Sequence, residues 1–104
     1  MKTPPLPPRE SLLLADVFRA HPEISEVRLF GSRAKGTHTA GSDVDLALWG
    51  DLTPLQAEAI AAELDELPLP YHFDVLAFDL IELQPLREHI ERVGVRLYPA
   101  GAAP

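Results

Sequence analysis

The chain has 104 residues, 46 % hydrophobic and 24 % charged, so we expect one globular domain with a single core and no room for a second, substrate-recognising domain. Sixteen acidic against nine basic residues give a net charge of −7, which argues against direct nucleic-acid binding because that affinity comes largely from Lys and Arg. The lack of Cys excludes disulfide and thiolate chemistry, and no apolar stretch reaches membrane-spanning length, so a cytoplasmic protein without membrane contact is expected.

The two ends of the chain differ in composition from its middle. Residues 1–10 contain four prolines and are expected to form an extended lead-in, residues 11–98 one folded domain, and residues 99–104 a flexible tail. Within the domain, apolar residues at helical spacing predict a first helix over 11–20, with Ser11 as its N-cap.

Strand and helix signals then alternate along the chain. Apolar runs predict strands over 26–30 and 43–49. Residues 53–56, Thr-Pro-Leu-Gln, combine an N-cap Thr, a Pro at the first helical position and the Gln of a capping box, which predicts a helix ending near Leu67. A third strand is predicted over 71–78.

The last part of the domain predicts one more helix and one more strand. Asp79 is expected to cap a helix that reaches Val93, where Gly94 would supply a left-handed stop. Residues 95–98 suit a short edge strand. This order of elements predicts an α+β fold with a small mixed sheet and helices packed mainly on one face.

Two acidic residues lie in the second predicted strand, where Asp is poorly suited. Side chains alternate along a strand, so Asp43 and Asp45 project from one face and can reach the same hard cation, for which Mg²⁺ is the best match. Without a cation the two carboxylates repel and raise each other's pKa. The alternative is that Asp43 caps the preceding turn and that Asp45 is simply solvated.

A glycine-containing turn precedes the acidic pair. Gly31 allows the backbone to approach a ligand closely, and a helix beginning at Ser32 would offer free N–H groups and a hydroxyl to a phosphate. Arg33 and Lys35 place positive charge beside this turn in an otherwise acidic chain. Taken alone, the Gly-Ser dipeptide equally fits an ordinary strand-to-helix turn.

A third carboxylate, Asp74, lies in the middle of the apolar third strand, where an ionised side chain needs a partner. If that strand neighbours the second one, three carboxylates converge; otherwise Asp74 is an exposed residue of an edge strand. His72 is two residues from Asp74, so it lies on the same face of the predicted strand and could orient Asp74. Trp49 shares the face of Asp45 and could stack on a base, join a partner interface or close the end of the core.

Residues 31–48, together with Asp74 on a later strand, resemble the signature of the minimal nucleotidyltransferases of the DNA polymerase β superfamily. The resemblance implies a polymerase-β-like nucleotidyltransferase fold, ATP as substrate and two Mg²⁺ ions. Gly31 and Ser32 would bind the triphosphate. Asp43, Asp45 and Asp74 would be the catalytic metal ligands, and Asp74 would also help to deprotonate the acceptor hydroxyl.

Stand-alone domains of this family are often antitoxins paired with a HEPN-domain toxin, and the resemblance therefore implies a partner and an acceptor. Such proteins transfer AMP from ATP to a tyrosine of the toxin, which silences its ribonuclease activity. Arg33 and Lys35 would help to neutralise the phosphates. Two alternatives stay open: an antitoxin that acts by contact alone, and nucleotidyl transfer to a small molecule.

Overall fold

A computed structural model describes residues 6–31 and 43–99 of the chain. In chain order its elements are α1 (Pro8–Arg19), β1 (Ile24–Phe30), β2 (Val44–Gly50), α2 (Pro54–Asp65), β3 (Phe73–Ala77), a 3-10 turn (Phe78–Leu80), α3 (Gln84–Val93) and β4 (Val95–Tyr98). The longest described helices, α1 and α2, have 12 residues each. No helix in this part of the chain is long and apolar enough to cross a membrane.

The four strands form one mixed sheet in the order β3-β2-β1-β4. β1 runs antiparallel to both β2 and β4, whereas β2 and β3 are parallel. A parallel pair needs a crossover connection, and α2 makes it. The predicted mixed sheet and the predicted edge strand at 95–98 are both confirmed.

Alternate residues of β2 face two separate apolar layers. Val44, Leu46 and Leu48 are fully buried in the larger layer with residues of α1 and α2. Ala47 and Trp49 face a smaller layer on the opposite side, together with Ile90 of α3. Two of the three described helices therefore cover one face, as predicted, and α3 covers part of the other.

The start of α1 differs from the prediction, whereas the start of α2 agrees with it. α1 begins at Pro8, three residues before Ser11, because a proline is pre-organised for the first helical position. In α2 the Thr53 hydroxyl accepts the Gln56 N–H at 3.1 Å, and the Gln56 side chain accepts the Thr53 N–H at 2.8 Å. The predicted capping box is therefore confirmed.

The predicted end of α3 at Val93 is confirmed, but the capping roles predicted for its two ends were wrong. Asp79 lies in the 3-10 turn instead of capping the helix, which begins at Gln84. The Arg87 guanidinium donates to the carbonyls of Phe78 and Ile81 at 2.9 and 3.1 Å, so a side chain of the helix holds the irregular segment that precedes it.

At the other end, Gly94 has an extended backbone with φ −62°, so it is not a left-handed stop. A side chain at Gly94 would place its Cβ 2.5 Å from the Ile90 carbonyl oxygen. This close approach explains the glycine without any unusual dihedral angle.

Candidate functional site

The acidic residues of β2 and β3 meet on the face of the sheet that α3 partly covers. Asp45 and Asp74 are paired residues of the two parallel strands. Asp43 lies just before β2 and is exposed, and the side chain of Asp74 is 53 % exposed. The prediction that the third strand neighbours the second is confirmed, and with it the side-by-side placement of Asp45 and Asp74.

The electrostatics of Asp45 are unfavourable in the free protein. Its pKa is raised above the usual value of 3.8 by burial first, and then by the negative charges of Asp74 and Asp43. A hydrogen bond with the Asp74 carboxyl raises the pKa of Asp45 further, because it favours a proton held between the two groups. The site therefore attracts a positive charge.

Gly31, at the end of β1, lies against the acidic pair. Its φ is +79°, a region that residues with a side chain rarely adopt. A Cβ on Gly31 would also lie 2.3 Å from Oδ2 of Asp45. The turn therefore requires glycine for two independent reasons, and it places bare backbone beside the Asp45 carboxylate.

The other three predicted nucleotide-binding residues, Ser32, Arg33 and Lys35, lie outside the described residues. The phosphate-binding role assigned to them stays a prediction from the sequence.

One acidic residue near the site was not singled out from the sequence. His72 Nε2 lies 3.4 Å from Oδ1 of Asp74, while its Nδ1 lies 3.8 Å from Oδ1 of Asp65. Asp65 also accepts the backbone N–H of Phe73 at 3.2 Å and so ties α2 to the start of β3. A signal was present, because a carboxylate in the last turn of a helix opposes the helix dipole and needs another reason to be there.

Trp49 belongs to the smaller apolar layer. Its ring stacks on Phe78 with a centroid distance of 4.2 Å, and the Arg28 guanidinium lies 4.8 Å from the ring centroid. Trp49 is partly buried against the smaller layer, which agrees with the interpretation that it closes the core.

The donor chemistry of the acidic residues suits a hard divalent cation. Within residues 6–31 and 43–99, no three His, Asp or Glu side chains are already placed as a metal site. Asp45 and Asp74 nevertheless supply carboxylate oxygens side by side, Asp43 adds a third carboxylate next to the strand, and burial together with these two neighbouring charges raises the pKa of Asp45. Mg²⁺ prefers such ligands together with phosphate oxygens and water.

Comparisons with known proteins agree with this arrangement. The family described as "Polymerase beta, Nucleotidyltransferase" matches residues 13–101. No curated protein sequence matches the chain.

Several solved structures share the fold. A toxin–antitoxin crystal structure with AMP-PNP superposes with a TM-score of 0.72 and 20 % identity, covering 88 % of this chain and 73 % of that one. The tri-AMPylated Shewanella oneidensis HEPN toxin in complex with MNT antitoxin gives a TM-score of 0.68 and 17 % identity over 86 % of this chain and 70 % of that one. An MntA–HepT toxin–antitoxin structure gives a TM-score of 0.67 and 17 % identity over the same shares. The predicted polymerase-β-like fold is confirmed.

Proposed function

The chain belongs to the polymerase β nucleotidyltransferase family, and we propose that it transfers AMP from ATP to a tyrosine hydroxyl of a HEPN-domain toxin and thereby neutralises that toxin. The observation that carries the proposal is the in-register pair of Asp45 and Asp74 beside the bare backbone of Gly31. The fold adds support, because similar structures include one with AMP-PNP and one with a tri-AMPylated HEPN toxin.

The nucleotide would bind with its triphosphate beside the turn after β1. Gly31 lets the backbone approach the phosphates, and we assign Ser32 to the same role. Arg33 and Lys35 would contribute positive charge where the chain is otherwise acidic. This arrangement would place the α-phosphate near the acidic pair.

Asp43, Asp45 and Asp74 would hold Mg²⁺, which when bound would neutralise the phosphate oxygens and the leaving pyrophosphate. In the transfer, the acceptor hydroxyl oxygen bonds to the α-phosphorus while the bond from that phosphorus to the bridging oxygen of the β-phosphate breaks. The hydroxyl proton passes to the Asp74 carboxylate, which lies at the exposed edge of the pair. The products are an AMP–protein ester and pyrophosphate.

The test uses ATP labelled at either the α- or the γ-phosphate, with Mg²⁺, this protein and a HEPN-domain protein as acceptor. Label on the HEPN protein from the α position alone is the expected result. Replacing the base in Asp74→Asn should slow transfer by about 10²–10⁴-fold. Asp45→Asn should abolish transfer, because it removes a proposed metal ligand. Asp51→Asn is the matched control, because Asp51 is exposed and lies just beyond the other end of β2.

Other outcomes identify the competing functions. Tight binding of the HEPN protein without label from either position would show an antitoxin that acts by contact alone. In that case toxin neutralisation would survive both Asp→Asn changes. If the HEPN protein stays unlabelled, and small hydroxyl compounds become labelled in a separate assay without it, the chain is a small-molecule nucleotidyltransferase.

A further inference from the structure

A groove at the free edge of the sheet lies next to the acidic pair. It encloses about 480 Å³ between the start of α2, the strand β3 and the segment that leads into α3. Three of the exposed large apolar side chains of the described residues line it, Leu76, Leu80 and Leu83. Leu80 and Leu83 are 48 % and 69 % exposed. Apolar side chains gathered in one concave surface indicate a binding site, whereas scattered ones do not.

The same strand carries the groove and the proposed base. In β3, Phe73 and Ala77 are buried, while Asp74 and Leu76 share the opposite, exposed side. Residues two apart on a strand are separated by about 6.5 Å. A polypeptide seated on Leu76 would therefore hold a neighbouring side chain within reach of Asp74. In the sheet that the described residues form, β3 pairs only with β2, so its outer edge faces the groove.

The charges around the groove restrict what it can bind. Its described lining includes two carboxylates, Glu58 and Glu82, and no Lys, Arg or His. Arg87, which follows the lining residue Leu86 in α3, donates its guanidinium to the carbonyls of Phe78 and Ile81. An apolar floor with an acidic rim matches an apolar polypeptide segment flanked by Lys or Arg, and it repels a nucleic acid or a free nucleotide.

We propose that this groove is the docking surface for the acceptor protein, which inserts an apolar segment flanked by basic residues and so presents its hydroxyl to Asp74. The inference rests on the proposed function, because it takes the acceptor to be a protein. It assigns acceptor recognition to residues that are separate from the nucleotide site.

The test measures the Kd of the HEPN protein and the KM for it in the transfer reaction. Leu83→Asp and Leu80→Asp should each raise both constants at least tenfold and leave the Kd of a non-hydrolysable ATP analogue with Mg²⁺ unchanged. Glu58→Lys with Glu82→Lys should act in the same direction. Leu55→Asp is the matched control, because Leu55 is 73 % exposed on α2 but lies outside the groove lining. Circular dichroism of each variant checks that it is folded.

The outcomes separate this inference from the proposed function. If the groove variants bind the HEPN protein as tightly as Leu55→Asp does, the docking inference is wrong, whether or not label is transferred. Wild-type protein that does not bind the HEPN protein also overturns it, as does a wild-type dimer that Leu83→Asp converts to monomer. Groove-dependent binding without transfer of α-label would uphold the docking surface and refute the adenylyl transfer.

Discussion

Asp45 carries a negative charge that the free protein stabilises poorly. Because the folded-state pKa of Asp45 is raised, the unfolded chain releases this proton at a lower pH than the folded one does. The contribution of Asp45 to the free energy of unfolding is therefore fully present below about pH 3.8, its unfolded value, and is lost as pH rises through the folded pKa.

Because the pKa of Asp45 is raised on folding, we predict that Asp45→Asn stabilises the metal-free protein at pH 7. Removing a like charge beside Asp74 should raise the free energy of unfolding by roughly 0.2–1 kcal/mol, the size of other cross-strand effects. Urea denaturation at pH 7 and pH 3 in EDTA would measure it, and the gain should vanish at pH 3. A variant less stable than wild type at pH 7 would show that Asp45 is compensated in the free protein.

Gly31 gives a second prediction for a single residue. Gly31→Ala requires a strained positive φ and brings the new Cβ onto Oδ2 of Asp45, so it should cost about 1–3 kcal/mol and abolish transfer. Gly94→Ala is the control, since its Cβ would crowd the Ile90 carbonyl, away from the acidic residues. Both variants should melt earlier, but at a temperature where both are folded only Gly31→Ala should be inactive. Full activity of Gly31→Ala would show that the turn tolerates a side chain.

The face of the sheet on which a strand residue lies could be predicted from the sequence. Asp45 and Asp74 each stand out as a charge within an apolar run, and alternation fixes the face each one occupies. The part played by Asp65 was not predictable in this way. Its place in the last turn of α2 marks it as unusual, but its partner depends on where the end of α2 meets the start of β3, which is a tertiary contact.

Among the helices and strands, α2 shows that a local capping signal can determine where a helix begins. Its first turn is held by the reciprocal hydrogen bonds of Thr53 and Gln56. We predict that Thr53→Ala costs about 1 kcal/mol, typical for the loss of an N-cap, because one N–H of the first turn loses its acceptor. For a chain of this size that loss should lower the Tm by roughly 4–8 °C.

Calorimetry would check the effect, with Thr53→Ser as the control because it keeps the hydroxyl. Equal Tm values for Thr53→Ala and wild type would show that packing, and not the cap, fixes the start of α2.

The helices whose first residues were wrongly predicted are α1 and α3. α3 begins late because Arg87 binds the carbonyls of the preceding irregular segment. α1 begins early, and Leu6 before it is buried in the larger apolar layer. Pro8 is a local signal for the start of α1, whereas the contact of Arg87 with the segment before α3 is one that helix propensities do not describe.

For the whole molecule, ligand binding should offset the cost of gathering the acidic residues. At a free ligand concentration of about 100 times Kd, a ligand that binds only the folded state adds roughly 2.7 kcal/mol to the free energy of unfolding. We therefore predict that Mg²⁺ with a non-hydrolysable ATP analogue raises the Tm of the wild-type protein. Asp45→Asn should lose this rise, while Asp51→Asn keeps it.

Differential scanning fluorimetry with a titration of Mg²⁺ at fixed analogue concentration would measure the effect. An equal rise in wild type and Asp45→Asn would place the cation or the nucleotide elsewhere on the molecule.

The packing of Trp49 against Arg28 and Phe78 has an optical consequence. It is the only tryptophan of the chain, and it lies four residues from Asp45 on the same face of β2. The emission of an indole depends on its surroundings, and here a guanidinium and a phenyl ring both pack against it. The molecule thus contains a single tryptophan on the sheet that holds the acidic pair, so the intrinsic tryptophan fluorescence of unlabelled protein reports on this sheet.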